Sequence, residues 1–190
     1  MKIILGSSSP RRLKLLREHG FKFEVVPPTV DESRLSGEAP EEYVKRLALA
    51  KAQSVAVDEA LIIGADTAVI LDSEFLDKPA SREEAKRILM KLSGRAHQVF
   101  TGIGIVCSAC GAAATDYDHT TVHFNDLTEA LILEYIETGE PMDKAGAYGI
   151  QGMGSFLVRD IEGELDTVIG FPMKLFKNMI EVHRECLSKN

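Results

Sequence analysis

The sequence predicts an α/β protein built on a mixed β-sheet flanked by helices. Two observations carry this. Apolar runs of strand length, such as KIIL at 2–5 and LIIG at 61–64, alternate with stretches whose apolar residues recur at helical spacing behind capping residues. The connections between the strands are of both crossover and hairpin length, so the sheet is neither purely parallel nor purely antiparallel.

In chain order, residues 2–5 read as a buried strand that meets the polar loop SSSP. Ser9 suits an N-cap and Pro10 the first helical position, Leu13, Leu15 and Leu16 form an apolar stripe, and Gly20 stops the helix. Phe21 to Val26 reads as a second strand, closed by Pro27 and Pro28. After the acidic loop VDES, a helix is expected from about Pro40 to Val57, with Tyr43, Val44, Leu47 and Ala50 on one face. A strand runs from Leu61 through GADT to Leu71. Ser81 and Glu84 then form a capping box for a helix that ends near Ser93-Gly94. Two antiparallel strands, His97 to Cys107 and Thr115 to Phe124, turn around Gly111, and Thr128 caps a helix that ends at Gly139. A glycine-rich stretch covers 142–154. Phe156–Ile161 and Thr167–Ile169 read as a hairpin, and Pro172 starts a final helix.

The bulk numbers exclude several classes. With 190 residues the chain is long enough for one substantial core, and it reads as a single domain over 1–190. A formal charge of −7 and the lack of a basic-aromatic stripe argue against nucleic acid as a partner. The first apolar run meets a polar loop after five residues, too short for a signal or a membrane span, and three cysteines do not suggest a disulfide framework. A reduced, cytoplasmic protein is expected.

Three constellations carry chemistry. In SSSPRR, a loop between strand and helix turns backbone N–H groups toward one spot, with Ser7 and Ser9 hydroxyls beside them. Arg11 and Arg12 in the first helical turn are disfavoured by the helix dipole, and a bound phosphate would offset that cost. A capped helix with solvated arginines stays open on the pattern alone. In GADT, Asp66 interrupts an apolar run, where an unpaired carboxylate is costly. Such a group can hold a metal or take a proton from an attacking water, or simply bond backbone in a bulge. Glu32 would add a second oxygen ligand for magnesium or manganese, and Lys51 and Lys78 point charges for a phosphate chain. Glu32 as a solvated loop acid and Lys51 on a polar helix face are the plainer alternatives. In DKAGAYGIQG, closely spaced glycines let backbone approach a ligand, and Gln151 offers a donor and an acceptor to a base edge. The spacing is not that of a dinucleotide fingerprint, and a plain turn fits the pattern equally well.

The segments SSSPRR, IIGADTAV, DKP, LSGRAHQVFTG, GEPMDKAGAYGIQGMGS and VIGFP, in this order from Ile3 to about Pro172, resemble the Maf family of nucleotide pyrophosphatases. That resemblance implies an inosine-triphosphatase-like fold, with two lobes and a central nucleotide cleft. It implies hydrolysis of dTTP and UTP to monophosphate and pyrophosphate, a divalent metal and a homodimer. It places the proton acceptor on Asp66 and the residues of the pyrimidine-preferring branch on Arg11, Thr67 and Gln151, with Arg12, Glu32, Lys51 and Lys78 around phosphate and metal. Gly6 stands where alanine is usual, and Thr167 where asparagine is common. Two rivals remain: the methylated-guanine branch of the family, and a regulatory binding protein such as a septation inhibitor.

Other features carry less. Cys107 and Cys110 have CxxC spacing, but a zinc site wants four ligands and only Cys186 remains. His119 and His123 share a strand face, His97 reads as a positioning residue, and Met173, Leu175, Phe176 and Met179 read as core or dimer surface.

Overall fold

The computed structural model describes residues 2–182. Its strands are β1 (Lys2–Gly6), β2 (Glu24–Val25), β3 (Ala60–Leu71), β4 (Glu74–Phe75), β5 (Ala96–Cys107), β6 (Ala113–Phe124) and β7 (Val158–Glu162). Its helices are α1 (Pro10–Glu18), α2 (Pro40–Gln53), α3 (Arg82–Leu92), α4 (Glu129–Glu137), α5 (Leu165–Ile169) and α6 (Met173–Val182). Short 3₁₀ turns at Glu140–Asp143, Ala145–Ala147 and Gly152–Leu157 fill the segment between α4 and β7.

The strands form one mixed seven-stranded sheet in the order β2-β1-β3-β5-β6-β7, with β4 hairpinned onto β3. β1 pairs in parallel with β2 and with β3, where Gly6 lies opposite Gly64, and β7 runs antiparallel to β6. β3 is buried along nearly its whole length, which its continuous apolar run demands. Cys186 lies outside the described residues. No helix among those described is long and apolar enough to cross a membrane.

The chain divides into two compact units, and β3, β5 and β6 each contribute residues to both. Among the described residues, the first unit comprises 2–66, 101–118 and 170–182. Its interior includes Ile4, Ala52, Val55, Ala60 and Ile62, and α2 lies on this part of the sheet at very short range. A Cβ on Gly64 would collide with the Ala48 carbonyl and the Ala52 nitrogen, and one on Gly102 or Gly104 with the backbone of residues 44–49. Only glycine permits this helix–strand distance. The second unit comprises 67–100 and 119–169, with a core of α3, α4 and strand residues such as Val99, Val122 and Phe124.

Several boundaries differ from the sequence reading, each for a local reason. α2 stops at Gln53 and not at Val57. The Ser54 hydroxyl donates to the Lys51 carbonyl, the acceptor an α-helical Val55 would need, and the Val55 N–H turns to Ala52 instead. β2 is only Glu24–Val25, because Phe21 folds away to pack on Phe176. Phe156–Ile161 and Thr167–Ile169 do not pair as a hairpin: β7 pairs with β6, and residues 165–169 are helical. Thr167 and Ile169 are buried there, so packing overrides their strand propensity. Ser81 accepts from the Glu84 N–H as expected, while the Glu84 carboxylate reaches back to the Ala80 N–H. Met173, Phe176 and Met179 are buried on α6.

Candidate active site

The loop between β1 and α1 is held by its own first serine. Ser9 occupies the N-cap position with extended backbone, yet its side chain makes no capping bond. Its N–H donates instead to Ser7 Oγ at 3.2 Å, and Ser7 is buried at 3% exposure. Arg12, two residues into α1, turns back under this loop. Its Nη1 donates to the Ala65 carbonyl at 2.9 Å and to Ser7 Oγ at 3.4 Å, and its Nε donates to the Gly170 carbonyl at 2.8 Å. The guanidinium therefore fixes the backbone just before Asp66. Arg12 is thus no solvated helix-start residue, and Arg11 lies close enough to lower its pKa.

Asp66 sits near the middle of β3 at 7% exposure, and Lys51, on the last turn of α2, is equally buried. The close seating of α2 at Gly64 brings the two together: the Lys51 ammonium donates to Asp66 Oδ1 at 2.5 Å. The same ammonium meets Glu32 Oε1 at 2.6 Å, and the Glu32 side chain is half exposed. Lys51 is therefore not on a polar helix face, and Glu32 is not simply solvated. Burial raises the Asp66 carboxyl above its ordinary range, with Lys51 and then Arg12 pulling it back down. Burial likewise lowers Arg12 from its usual value, opposed by Asp66. Lys51 meets the carboxylates of Glu32 and Asp66, Arg12 lies within electrostatic reach of both, and Arg11 adds its charge beside Arg12, an excess of positive charge suited to an anion. A desolvated carboxylate held by a lysine beside fixed cations can accept a proton while phosphate is gripped nearby.

The remaining predicted residues belong to the second unit. Thr67 follows Asp66 on β3 and is partly buried, while Lys78 is exposed in the turn before α3. Gln151 is exposed on the loop that follows the Ala145–Ala147 turn. The glycines around it serve the protein's own packing. The positions a Cβ would take at Gly149 and Gly154 are occupied by the Glu140 carboxylate and by the Tyr135 hydroxyl and ring. Gly146 has φ 71° and packs on Val69, and Ala147 follows at φ 58°, a strained conformation for a side-chain-bearing residue.

His97 is buried, and its Nε2 pairs with the Tyr148 hydroxyl at 2.8 Å. Its ring also packs edge-on against Phe124. Burial, with a smaller push from His123, lowers its pKa to about 3, and its Nδ1 has no hydrogen-bond partner. It is neutral, so it positions Tyr148 without charge, as the sequence suggests. His123 faces Glu162 and His119 stacks on Phe100. Cys107 is buried and Cys110 exposed, both free, and no group of three or more His, Cys, Asp or Glu suited to an ion occurs among the described residues. Sequence reasoning missed Tyr135 and Glu140. The one visible signal was a tyrosine on the apolar face of α4 five residues before a glutamate in the same motif.

The family described as Maf-like protein matches residues 2–183. A protein named dTTP/UTP pyrophosphatase from Symbiobacterium thermophilum is 48% identical over 174 residues, covering 90% of this chain and 89% of that protein. Proteins of the same name from Vibrio cholerae and Dictyoglomus thermophilum are 47% and 45% identical, covering 90% and 94% of this chain and 92% and 94% of their own lengths.

Proposed function

The chain belongs to the Maf-like protein family, and on that premise we propose that it is a nucleoside triphosphate pyrophosphatase that cuts dTTP and UTP into monophosphate and pyrophosphate. The observation that carries the mechanism is the buried Lys51–Asp66 pair against the Arg12-braced loop. Arg11, Arg12, Ser7, Ser9 and Lys78 bind the triphosphate, and Thr67 and Gln151 read the pyrimidine. Asp66 takes the proton of the attacking water as that water adds to the α-phosphorus and pyrophosphate leaves. Lys51 holds the Asp66 carboxylate in place and adds fixed positive charge toward the phosphates. Such a reaction depends chiefly on positioning and electrostatics, and fixed charges in a desolvated site supply both.

Glu32 and Asp66 are the residues that would hold a magnesium or manganese ion. Both present hard carboxylate oxygens, and both converge on one cationic atom, Lys51 Nζ, at 2.6 and 2.5 Å. One or two carboxylates are the usual protein share of a magnesium ion that substrate phosphates complete. When bound, the ion neutralises charge on the phosphate oxygens. A cytoplasmic protein that acts on free nucleotide, without nucleic acid or membrane, completes the proposal, supported by the formal charge of −7 and the free cysteines, while a homodimer follows from the family resemblance alone.

The test is purified protein with magnesium and a panel of triphosphates. Pyrophosphate and monophosphate should appear fastest from dTTP and UTP, and chelation should stop turnover. Preference for a methylated guanine nucleotide would assign the other branch, and binding without turnover would assign a regulatory protein.

A further inference from the structure

The second unit holds a set of side chains that touch neither metal nor phosphate in the mechanism above. They converge on the backbone to either side of Gln151. The Gly149 N–H donates to the Tyr135 hydroxyl at 3.0 Å, and that hydroxyl donates to Glu140 Oε1 at 3.2 Å. The other carboxylate oxygen, Glu140 Oε2, accepts the Met153 N–H at 3.1 Å. One tyrosine–glutamate pair therefore binds the chain two residues before Gln151 and two residues after it.

The geometry around the pair shows a closed loop. A Cβ on Gly154 would meet the Gly149 carbonyl at 2.5 Å and the Tyr135 hydroxyl at 2.6 Å, so the two ends of the loop lie against each other and against the phenol. Gly149 is buried and Ile150 packs onto the core of the unit, whereas Gln151 is exposed with extended backbone. Glu140 is itself fixed. Its N–H donates to the Thr138 hydroxyl at 3.1 Å, and its carbonyl accepts from the Lys144 ammonium at 2.6 Å. Tyr135 is buried in the core between Ile132 and Ile136, and burial raises its pKa, so it stays a neutral phenol able to donate and accept at once. On the upstream side, His97 holds Tyr148.

We infer that Tyr135 and Glu140 are positioning residues for nucleobase selection, clamping both flanks of the loop so that Gln151 is presented in one conformation to a pyrimidine ring. This rests on the reading of Gln151 as the base-contacting residue. The physical ground is that a long amide side chain discriminates between bases only if its backbone is fixed before the ligand arrives; otherwise the ordering cost falls on binding and the wrong base is accommodated as readily as the right one.

The test compares kcat and KM for dTTP, UTP and ATP across the wild type, Glu140→Ala, Glu140→Gln, Tyr135→Phe and Gln151→Ala, and the double variant Glu140→Ala with Gln151→Ala. Glu140→Ala and Tyr135→Phe should each raise KM for dTTP and UTP about tenfold with kcat nearly constant, and should narrow the preference over ATP by a similar factor. Glu140→Gln, which keeps an oxygen for the Met153 N–H, should recover most of the loss, and Glu140→Ala should add nothing to selectivity once Gln151 is gone. If Gln151→Ala lowers selectivity while Glu140→Ala and Tyr135→Phe slow dTTP and ATP equally, the clamp is overturned and the reading of Gln151 stands. If Gln151→Ala leaves selectivity unchanged, both are overturned. Tyr135→Phe keeps its ring in the core and carries the same test should Glu140→Ala not fold.

Discussion

The Asp66 cluster and the Gln151 loop solve the problem of fixing polar groups in different ways. Around Asp66 the devices are charges: Lys51 lies between two carboxylates, Arg12 is tied to two carbonyls, and α2 sits so close to β3 that the Lys51–Asp66 pair is buried. Around Gln151 the devices are backbone amides, captured by a neutral phenol and one carboxylate, with glycines making the room. On the proposed function the difference follows from the task. Charge that develops on phosphate is best met by fixed opposite charge in a dry setting. A base edge is read by hydrogen-bond direction, which needs a rigid loop more than a strong field. The charged site should therefore fail through electrostatics when altered, and the loop through geometry.

Breaking the charged site gives the largest stability effect. Lys51→Met leaves Asp66 buried without its nearest cation, and loss of one partner of a buried pair costs about 3–5 kcal/mol. Denaturant unfolding at neutral pH measures it, and an unchanged midpoint would show the pair to be dispensable.

Next is the helix–strand distance on which that pair depends. Gly64→Ala puts a methyl group into the α2 backbone and should cost about 1–3 kcal/mol, with matching loss of turnover.

The second unit yields a pH effect. His97 has its pKa lowered to about 3, while in the unfolded chain it titrates near 6.5. The unfolded state thus binds the extra proton first as pH falls. This contribution to stability is full above about 6.5 and lost progressively down to about 3, reaching about 2 kcal/mol by pH 5. Unfolding curves from pH 8 to pH 4 should show this slope, and His97→Phe should flatten it.

The smallest effect belongs to Gly6, where an added Cβ would sit 3.2 Å from the Lys51 carbonyl and 3.3 Å from Val55. Gly6→Ala should change stability by less than about 1 kcal/mol, since a few tenths of an ångström of movement relieves the contact.

Much of this was legible in the residues. Asp66 stood out because a carboxylate in LIIGADTAVIL violates its surroundings, and Arg11 and Arg12 because cations oppose a helix start. The places of Lys51 and Glu32 were not legible in the same way, since a lysine on an amphipathic helix and an acid in a loop are ordinary until the fold brings Lys51 within 2.5 Å of Asp66 and 2.6 Å of Glu32. The glycines of AGAYGIQGMG were visible as a cluster, but their reason was not. Gly149 and Gly154 make room for Glu140 and Tyr135, and Gly146 for Val69, contacts that no spacing rule encodes. The false hairpin at 156–169 came from β-branched residues whose burial, and not their propensity, set the local structure.

On the proposed mechanism the carboxylate buried at position 66 removes the proton during cleavage. Its most direct test is turnover of dTTP by Asp66→Asn at saturating magnesium, with folding checked by circular dichroism. A fall of about 10²- to 10⁴-fold in kcat with native secondary structure is predicted. A folded Asp66→Asn protein that cleaves dTTP at close to the wild-type rate would contradict it.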